Sequence, residues 1–376
     1  MKRTAVWIGL VLLLFSSTNL PVAWAQKDLT TDGPSTLPSY TPINDLGVGQ
    51  YCVGTSKVCY QGGLYEKGTN IIPTDHGEAG SDFASLVAPI NGKIVFLSLG
   101  MSNAQIEFGL FIRMYGSNPT INPNVMLING AQDGIGACSW TVAFGLPTVC
   151  GGNAPNPYDQ ILNDQLRPNG LSESQVQVAW LKEANSLSSP FPVSLPVETL
   201  CPPAHGVLDD TTCADAFVYE EYLGGILRAA KQRYPNLKLV FISSRIYGGY
   251  NQSSKSHEPY AYEYGFSTKW TIQAQINQAD RGGPPDPMAG DLSYSVAPWA
   301  AWGPYIWADG PKPRSDGLVW CDGALSPTPP CNGEVDFQTD GVHPNSTGQL
   351  KVAAMLWTFF STSPYSTVWF LGNLSK

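Results

Sequence analysis

The sequence predicts a three-layer α/β/α sandwich, in which a central parallel sheet carries helices on both faces. From about residue 86 onward, short apolar runs alternate with longer segments of helical periodicity. The clearest helix is expected over Ala214–Tyr234; Pro235 ends it, and the apolar strand Leu237–Ser243 follows directly. Because parallel strands must be joined by crossovers, this alternation of strands and helices indicates an α/β fold.

The same patterns predict the other main elements. The apolar run Lys93–Leu99 is expected to be a buried strand, and a helix is expected over Ala104–Met114. Two further strands are expected to begin at Val125 and Val176. The last helix is expected over Ser346–Phe360, where apolar residues recur at helical spacing.

The chain divides into a leader, an N-terminal extension and one main domain. Lys2 and Arg3, the apolar run Ala5–Phe15 and a small-residue site ending at Ala25 are typical of a cleaved signal peptide over residues 1–25. Residues 26–85 are rich in Gly, Pro, Ser and Thr and are expected to form an arm on the main domain, 86–376. Within that domain, an aromatic-rich insertion is expected at about 244–339.

Charge and hydropathy limit the partners and the location that we expect for this protein. The net charge of −9 becomes about −11 once the leader is removed, and no Lys/Arg cluster occurs, so nucleic acid is not an expected partner. After the leader, no apolar run is long enough to span a bilayer, so no membrane anchor is expected. We therefore expect a secreted or periplasmic protein that acts on a small molecule or a carbohydrate. Nothing in the sequence indicates its oligomeric state.

The eight cysteines agree with an oxidising compartment. They form four pairs of close neighbours along the chain, and disulfides within these pairs are the simplest of many possible connectivities. The expected pairs are Cys52 with Cys59, Cys138 with Cys150, Cys201 with Cys213, and Cys321 with Cys331. No Cys-x-x-Cys or His-x-x-x-His spacing occurs, so neither a metal site nor a cofactor is expected. The histidines His76, His205 and His257 are expected in loops, with His257 a weak candidate for contact with substrate.

Two segments far apart in the sequence carry residue types that suit nucleophilic catalysis. Asp340 precedes His343 by three residues in a turn that Pro344 stiffens, so the two side chains can act as a base and its orienting partner. Ser102 lies where a buried strand meets a helix N-terminus, with free N–H groups nearby. The alternative is that Ser102 only caps the helix. Ser98 is a weaker candidate, because it lies inside the strand and is expected to be packed.

The chain resembles the SGNH hydrolases, also called the GDSL esterase/lipase superfamily, over about residues 93–360. The resemblance rests on four blocks, which are Gly100-Met101-Ser102-Asn103, the strand and turn Val125–Gly134, the strand ending in Lys182-Glu183-Ala184-Asn185, and Asp340-Gly341-Val342-His343. Met101 replaces the usual acid, and the third block lacks the usual Gly-x-Asn-Asp. The Gly-x-Ser-Asn form is closer to the carbohydrate acetylesterase branch, which includes sialate O-acetylesterase-like proteins.

The resemblance implies a flavodoxin-like sheet and a secreted serine esterase that removes short acyl groups, foremost acetyl, from carbohydrates or other esters. It implies Ser102 as nucleophile, His343 as base and Asp340 as its partner. It also implies an oxyanion hole formed by Ser102, Gly134 (or, as second choice, Gly130) and Asn185.

Five further residues are candidates for contact with substrate: Asn103, Arg245, Trp302, Tyr305 and Trp307. For the aromatic residues, the alternative is that they form the core of the insertion. Because the first and third blocks are altered, a different class of function also remains open, a non-catalytic extracellular carbohydrate-binding protein on the same fold.

Overall fold

The structure is a computed structural model that describes residues 29–30, 41–53, 58–141, 156–185, 215–251 and 257–372. Within these residues the strands are β1 (Leu29–Thr30), β2 (Gln50–Val53), β3 (Val58–Gln61), β4 (Ile94–Gly100), β5 (Val125–Asn129), β6 (Val176–Lys182), β7 (Leu239–Ile242) and β8 (Trp299–Trp302). The α-helices are α1 (Ile43–Leu46), α2 (Thr74–Ser85), α3 (Ser102–Tyr115), α4 (Ala137–Trp140), α5 (Pro157–Gln160), α6 (Asp215–Arg233), α7 (Tyr260–Gln275), α8 (Ser346–Thr362) and α9 (Thr367–Phe370). The expected signal peptide lies outside the described residues.

The main sheet has five parallel strands in the order β5-β4-β6-β7-β8. The chain leaves β4 toward β5 on one side and returns to β6 on the other, so the order reverses beside β4. In open α/β sheets, ligands bind beyond the carboxyl ends of the strands at such a reversal. Ser102 follows β4 at this place.

Helices cover both faces of this sheet, which confirms the predicted three-layer sandwich. Successive side chains of a strand point to opposite faces. Val95, Leu97 and Leu99 of β4 accordingly join the core cluster that contains α6 and α7, whereas Ile94 and Phe96 join the cluster that contains α3 and α8. All five side chains are almost completely buried. Both helix layers are therefore anchored on the strand that leads into Ser102.

The N-terminal segment adds a small antiparallel sheet in the order β1-β3-β2. A disulfide joins Cys52 to Cys59 across β2 and β3. Tyr51 stacks on Phe266 of α7 with ring centroids 5.8 Å apart, and the Tyr51 hydroxyl donates to Glu263 at 2.8 Å. This sheet thus covers the outer side of α7, which is buried along almost its whole length.

The region 244–339, which we expected to be an insertion, contributes α7 and β8 to the sandwich. β8 pairs with β7 from Leu239 opposite Trp299 to Ile242 opposite Trp302, so it is the outer strand of the main sheet. The short run Trp299–Trp302 has the length of a strand but none of the alternation that identifies one, so the sequence did not predict this strand. Among the described residues, no helix has both the length and the apolar character needed to cross a membrane.

Candidate active site

Ser102 is the first residue of α3, and the single residue Met101 separates it from the end of β4 at Gly100. Gly100 makes this turn possible. Its φ is +147°, and a Cβ there would lie 2.0 Å from the carbonyl oxygen of Lys182 on β6. Only glycine fits such a close approach of two strands. Ser102 is 8% exposed, so its hydroxyl lies at a protected place on the carboxyl edge of the sheet.

His343 lies in a loop before α8 and contacts Ser102. Its Nε2 lies 2.8 Å from the Ser102 hydroxyl oxygen, and its Nδ1 lies 2.5 Å from Oδ2 of Asp340. The loop bends at Gly341, where φ is +66° and a Cβ would lie 2.0 Å from the carbonyl oxygen of Tyr250. The structure therefore brings the predicted nucleophile, base and acid into one hydrogen-bonded series.

The Asp340 carboxylate is held by its own turn. Its Oδ1 accepts hydrogen bonds from the N–H groups of Val342 at 2.9 Å and His343 at 3.0 Å. Partial burial alone would raise the pKa of Asp340, but the backbone and ring of His343 and the N–H of Val342 outweigh it and hold the pKa below its usual range. Asp340 is therefore ionised at neutral pH and favours a proton on the facing ring nitrogen.

Asn103, a predicted substrate contact, joins the two halves of the site. Its Nδ2 donates to the carbonyl oxygen of Val342 at 3.1 Å, and the residue is 3% exposed. The amide thus fixes the His343 loop relative to the start of α3. This role could not be seen in the sequence, because the two residues are 239 positions apart.

The predicted oxyanion donors differ in their surroundings. The N–H of Ser102 lies in the first turn of α3, where backbone N–H groups lack helical acceptors. Gly134 has φ +74° and open space around it, and its N–H makes no hydrogen bond to the described residues. The N–H of Gly130, the second choice, is used by the Ser98 hydroxyl at 3.2 Å. The Asn185 amide donates to Oδ1 of Asp215 at 2.9 Å.

Ser98 is packed inside the sheet, as expected. It is fully buried, and its hydroxyl donates to Oδ1 of Asn129 at 2.8 Å while accepting from the N–H of Gly130. Asn129 in turn donates to the carbonyl oxygen of Gln105 at 2.8 Å. These bonds tie the turn after β5 to β4 and α3.

A buried charge cluster that was not predicted from the sequence joins α3 to the end of β6. Lys182, at the end of β6, donates to both carboxylate oxygens of Glu107 on α3 at 2.5 Å. Burial raises the pKa of Glu107, against the attraction of Lys182, Arg245 and His343. Burial lowers the pKa of Lys182 to about 8, against the raising effect of Glu107.

Arg245, a predicted substrate contact, belongs to this cluster. It is 5% exposed, and its Nε has no hydrogen-bond partner among the described residues. Its charge acts on Glu107, Lys182 and Glu183. The sequence does contain a signal for the cluster, because Glu107 and Lys182 are charged residues of opposite sign in the mostly apolar segments that form α3 and β6.

The three aromatic candidates lie in the core. Trp302, Tyr305 and Trp307 are at most 5% exposed. The indole N–H of Trp302 donates to the carbonyl oxygen of Leu64 at 2.7 Å, and that of Trp307 donates to Glu258 at 2.8 Å. Their polar atoms serve internal contacts, so the packing alternative describes all three.

His76 was wrongly expected in a loop. It is a fully buried residue of α2, with Nδ1 2.7 Å from Asp280 and Nε2 2.9 Å from the carbonyl oxygen of Ala300. His257 is partly buried and packs edge-on against Tyr260. His205 lies outside the described residues.

Two of the expected disulfides form, Cys52–Cys59 and Cys321–Cys331. Cys138 is also disulfide-bonded. Cys150, Cys201 and Cys213 lie outside the described residues.

Comparisons with known proteins return only distant likenesses. No family model matches the sequence, and no curated protein matches it. Among solved structures, the chain is similar to a Streptococcus pneumonia protein provisionally described as a platelet activating factor, with 11% identity, 76% of this chain and 92% of that chain covered, and a TM-score of 0.35. A Bacteroides fragilis protein provisionally described as an acylhydrolase is 10% identical, with 79% of this chain and 100% of that chain covered and a TM-score of 0.35. A GDSL-like lipase from Bacteroides thetaiotaomicron is 8% identical, with 75% of this chain and 95% of that chain covered and a TM-score of 0.33. At these TM-scores the fold assignment rests on the sheet order, and the site rests on its own geometry.

Proposed function

We propose that this protein is a secreted serine esterase of the SGNH type that hydrolyses short acyl esters, foremost acetyl esters, including those of carbohydrates. The observation that carries the proposal is the hydrogen-bonded series from Asp340 through His343 to Ser102. A hydroxyl, an imidazole and a carboxylate in this order are the parts that acyl transfer requires.

In the first step, the Ser102 hydroxyl oxygen attacks the ester carbonyl carbon while Nε2 of His343 takes the hydroxyl proton. The ester C–O bond then breaks, and the same proton passes to the departing alcohol. Asp340 holds the ring in the tautomer whose Nε2 can accept a proton, and it stabilises the imidazolium. The acyl group remains on Ser102 as an ester.

The second step repeats the first with water. His343 takes a proton from a water molecule, the resulting hydroxide attacks the acyl carbon, and the proton returns to the Ser102 oxygen as the carboxylic acid leaves. The negative charge of Glu107 would stabilise the imidazolium in both steps. His343 therefore ends each step in its starting protonation state, and Ser102 regains its hydroxyl proton at the end of the second step.

The tetrahedral intermediates carry a negative oxygen, which needs hydrogen-bond donors. The N–H groups of Ser102 and Gly134 are the donors we propose, with the Asn185 amide as the third. An amide has two N–H groups, and the bond to Asp215 would orient this one. Each donor is expected to be worth about a hundred- to a thousand-fold in kcat.

The preference for acetyl esters rests on the Gly-x-Ser-Asn form of the first block and its resemblance to carbohydrate acetylesterases. Secretion is supported by the leader-like N-terminus and by the disulfides, which persist in oxidising compartments.

The test is hydrolysis of 4-nitrophenyl acetate, butyrate and octanoate by the protein without residues 1–25, beside Ser102→Ala and His343→Ala. We expect kcat/KM to fall with acyl length and each variant to lose at least about a thousandfold. The double variant should lose about as much as either single one, because the two residues act as a unit. Activity that survives Ser102→Ala would identify another nucleophile. A folded protein inactive on all three esters, but able to bind glycans unchanged, would favour the binding function.

A further inference from the structure

A polar pocket of about 280 Å³ opens beside the candidate active site. It lies between the start of α3, the turn after β5 and the helical segment around α5. We call it the amide pocket and define it by Gln105, Gln132, Asp133, Gln160, Asp164 and Gln165. No residue of this pocket was singled out from the sequence as a binding residue.

The polar side chains of the amide pocket are not used by the fold. Those of Gln105, Asp133, Gln160, Asp164 and Gln165 make no hydrogen bond or ion pair with any described residue. Gln132 is the exception. Its Nε2 donates to the carbonyl oxygen of Pro157 at 2.8 Å, which orients the amide and leaves its buried Oε1 without a partner among the described residues.

The side chains that line the pocket favour a ligand that carries several hydroxyl groups. Side-chain amides both donate and accept hydrogen bonds, and ionised carboxylates accept them. Hydroxyl groups likewise donate and accept, so a ligand with several hydroxyls matches this set. Neither lysine, arginine nor histidine lines the pocket, and Asp133 and Asp164 would repel an anion. Ala131 and Ile161 supply a small apolar surface for carbon atoms.

The pocket is adjacent to Ser102. Gln105 lies three residues after Ser102 on α3, which is a rise of about 4.5 Å along the helix. The turn that carries Gln132 and Asp133 is fixed to the end of β4, because the N–H of Gln132 donates to the carbonyl oxygen of Gly100 at 2.8 Å. The pocket is therefore lined by residues that directly neighbour the strand-to-helix turn that carries Ser102.

We propose that the amide pocket binds the alcohol part of the ester, and that this alcohol is a neutral polyol of about the size of one sugar ring. The inference rests on the proposed function, since it concerns the substrate of the same site. The volume agrees with a single ring, because ligand pockets for larger molecules run from about 300 to 1,000 Å³.

The test compares two acetyl esters that differ only in the alcohol, a glucose monoacetate and 4-nitrophenyl acetate. Asp164→Ala and Gln160→Ala remove pocket groups that the fold does not use. Asp82→Ala is the matched control, since Asp82 is an exposed α2 carboxylate outside the pocket without a described hydrogen bond. For each pocket variant, we expect the ratio of kcat/KM on the sugar ester to kcat/KM on the nitrophenyl ester to fall about tenfold. Asp82→Ala should leave the ratio unchanged.

A ratio that stays constant in both pocket variants, or an equal loss on both esters, would overturn the proposal. A binding experiment distinguishes failure of this proposal from failure of the proposed function. Ser102→Ala is titrated by calorimetry with the monoacetates of glucose, xylose and glycerol, and Asp164→Ala is added in the same background. Binding that Asp164→Ala weakens about tenfold supports the pocket even if no ester is cleaved. Absence of binding to all three esters, or binding that Asp164→Ala does not change, counts against it.

Discussion

The side-chain amide of Asn103 donates a hydrogen bond to the carbonyl oxygen of Val342 at 3.1 Å. Asn103 directly follows the candidate nucleophile Ser102, and Val342 directly precedes the candidate base His343. One partly buried hydrogen bond therefore helps to set the position of the loop that carries His343 relative to the helix that carries Ser102. The distance between the serine hydroxyl and the imidazole depends on this bond.

Asn103→Ala is expected to reduce kcat about tenfold or more while KM changes little. The variant releases one restraint on the loop, and a displacement of about 1 Å between reacting groups can cost about a hundredfold in rate. The measurement is steady-state hydrolysis of 4-nitrophenyl acetate together with the thermal midpoint.

The matched control is Asn122→Ala. Asn122 donates the same kind of bond, from its amide to the carbonyl oxygen of Trp369 at 3.0 Å, on the entry side of β5 away from the site. Its Oδ1 also accepts from the N–H of Asn124 at 3.0 Å, so this control should lose at least about 1 kcal/mol of stability and still keep its kcat. If both variants lose kcat equally, the Asn103 bond has no special role in positioning His343.

Gly100→Ala is expected to destabilise the fold by at least about 3 kcal/mol, because a Cβ would lie 2.0 Å from the Lys182 carbonyl oxygen at a φ of +147°. Gly109→Ala on α3 is the control. Its Cβ would meet Asn129 Nδ2 at 3.3 Å, and alanine favours a helix over glycine by up to about 1 kcal/mol. Urea unfolding measures both. A folded Gly100→Ala variant of nearly normal stability would show that β4 and β6 can separate at this point.

The Glu107–Lys182 pair predicts strong coupling between two substitutions. Lys182→Met leaves Glu107 buried without its partner and should cost about 3 kcal/mol. Glu107→Leu should cost more, because Lys182 and Arg245 then face each other without the carboxylate. The double variant replaces the pair by apolar groups, so its loss of stability should be well below the sum of the single losses. Additive losses in urea unfolding would mean that the two charges do not compensate each other.

Local patterns predicted the elements that surround the site. The strand ending near Gly100, the helix after Ser102, and the helices α6 and α8 were found within a few residues of their expected bounds. Each is specified by a nearby signal, such as a glycine at a strand end or a proline after a helix. The apolar run that contains Ser98 likewise predicted that this side chain is packed inside the strand.

Contacts between distant segments were not predictable. The Asn103–Val342 bond spans 239 residues and the Glu107–Lys182 pair spans 75. No local pattern specifies which of the many distant polar groups will meet. The position of Trp302 in β8 was not predictable for a related reason, because a short apolar run between prolines gives no sign that it completes a sheet.

Glu258 predicts a pH dependence of stability that is independent of catalysis. Burial raises the pKa of its carboxyl to about 7, although the N–H groups of Gly248, Trp307 and Tyr262 donate to it and lower the pKa. Asp309 nearby raises it slightly further. In the unfolded chain the pKa is near 4.5. Between pH 4.5 and 7 the folded state therefore keeps a proton that the unfolded state has released, and stability falls as the pH rises.

We expect this group to lower the free energy of unfolding by about 3 kcal/mol between pH 4.5 and pH 8, with little further change above pH 8. Glu258→Gln isolates the effect, because glutamine stays neutral and resembles the protonated acid in shape. The measurement is the difference in unfolding free energy between wild type and variant at each pH, which cancels the other titrating groups. Wild type should lose about 3 kcal/mol relative to Glu258→Gln as the pH rises. A difference that does not change with pH would show that Glu258 ionises in the folded protein as easily as in the unfolded chain.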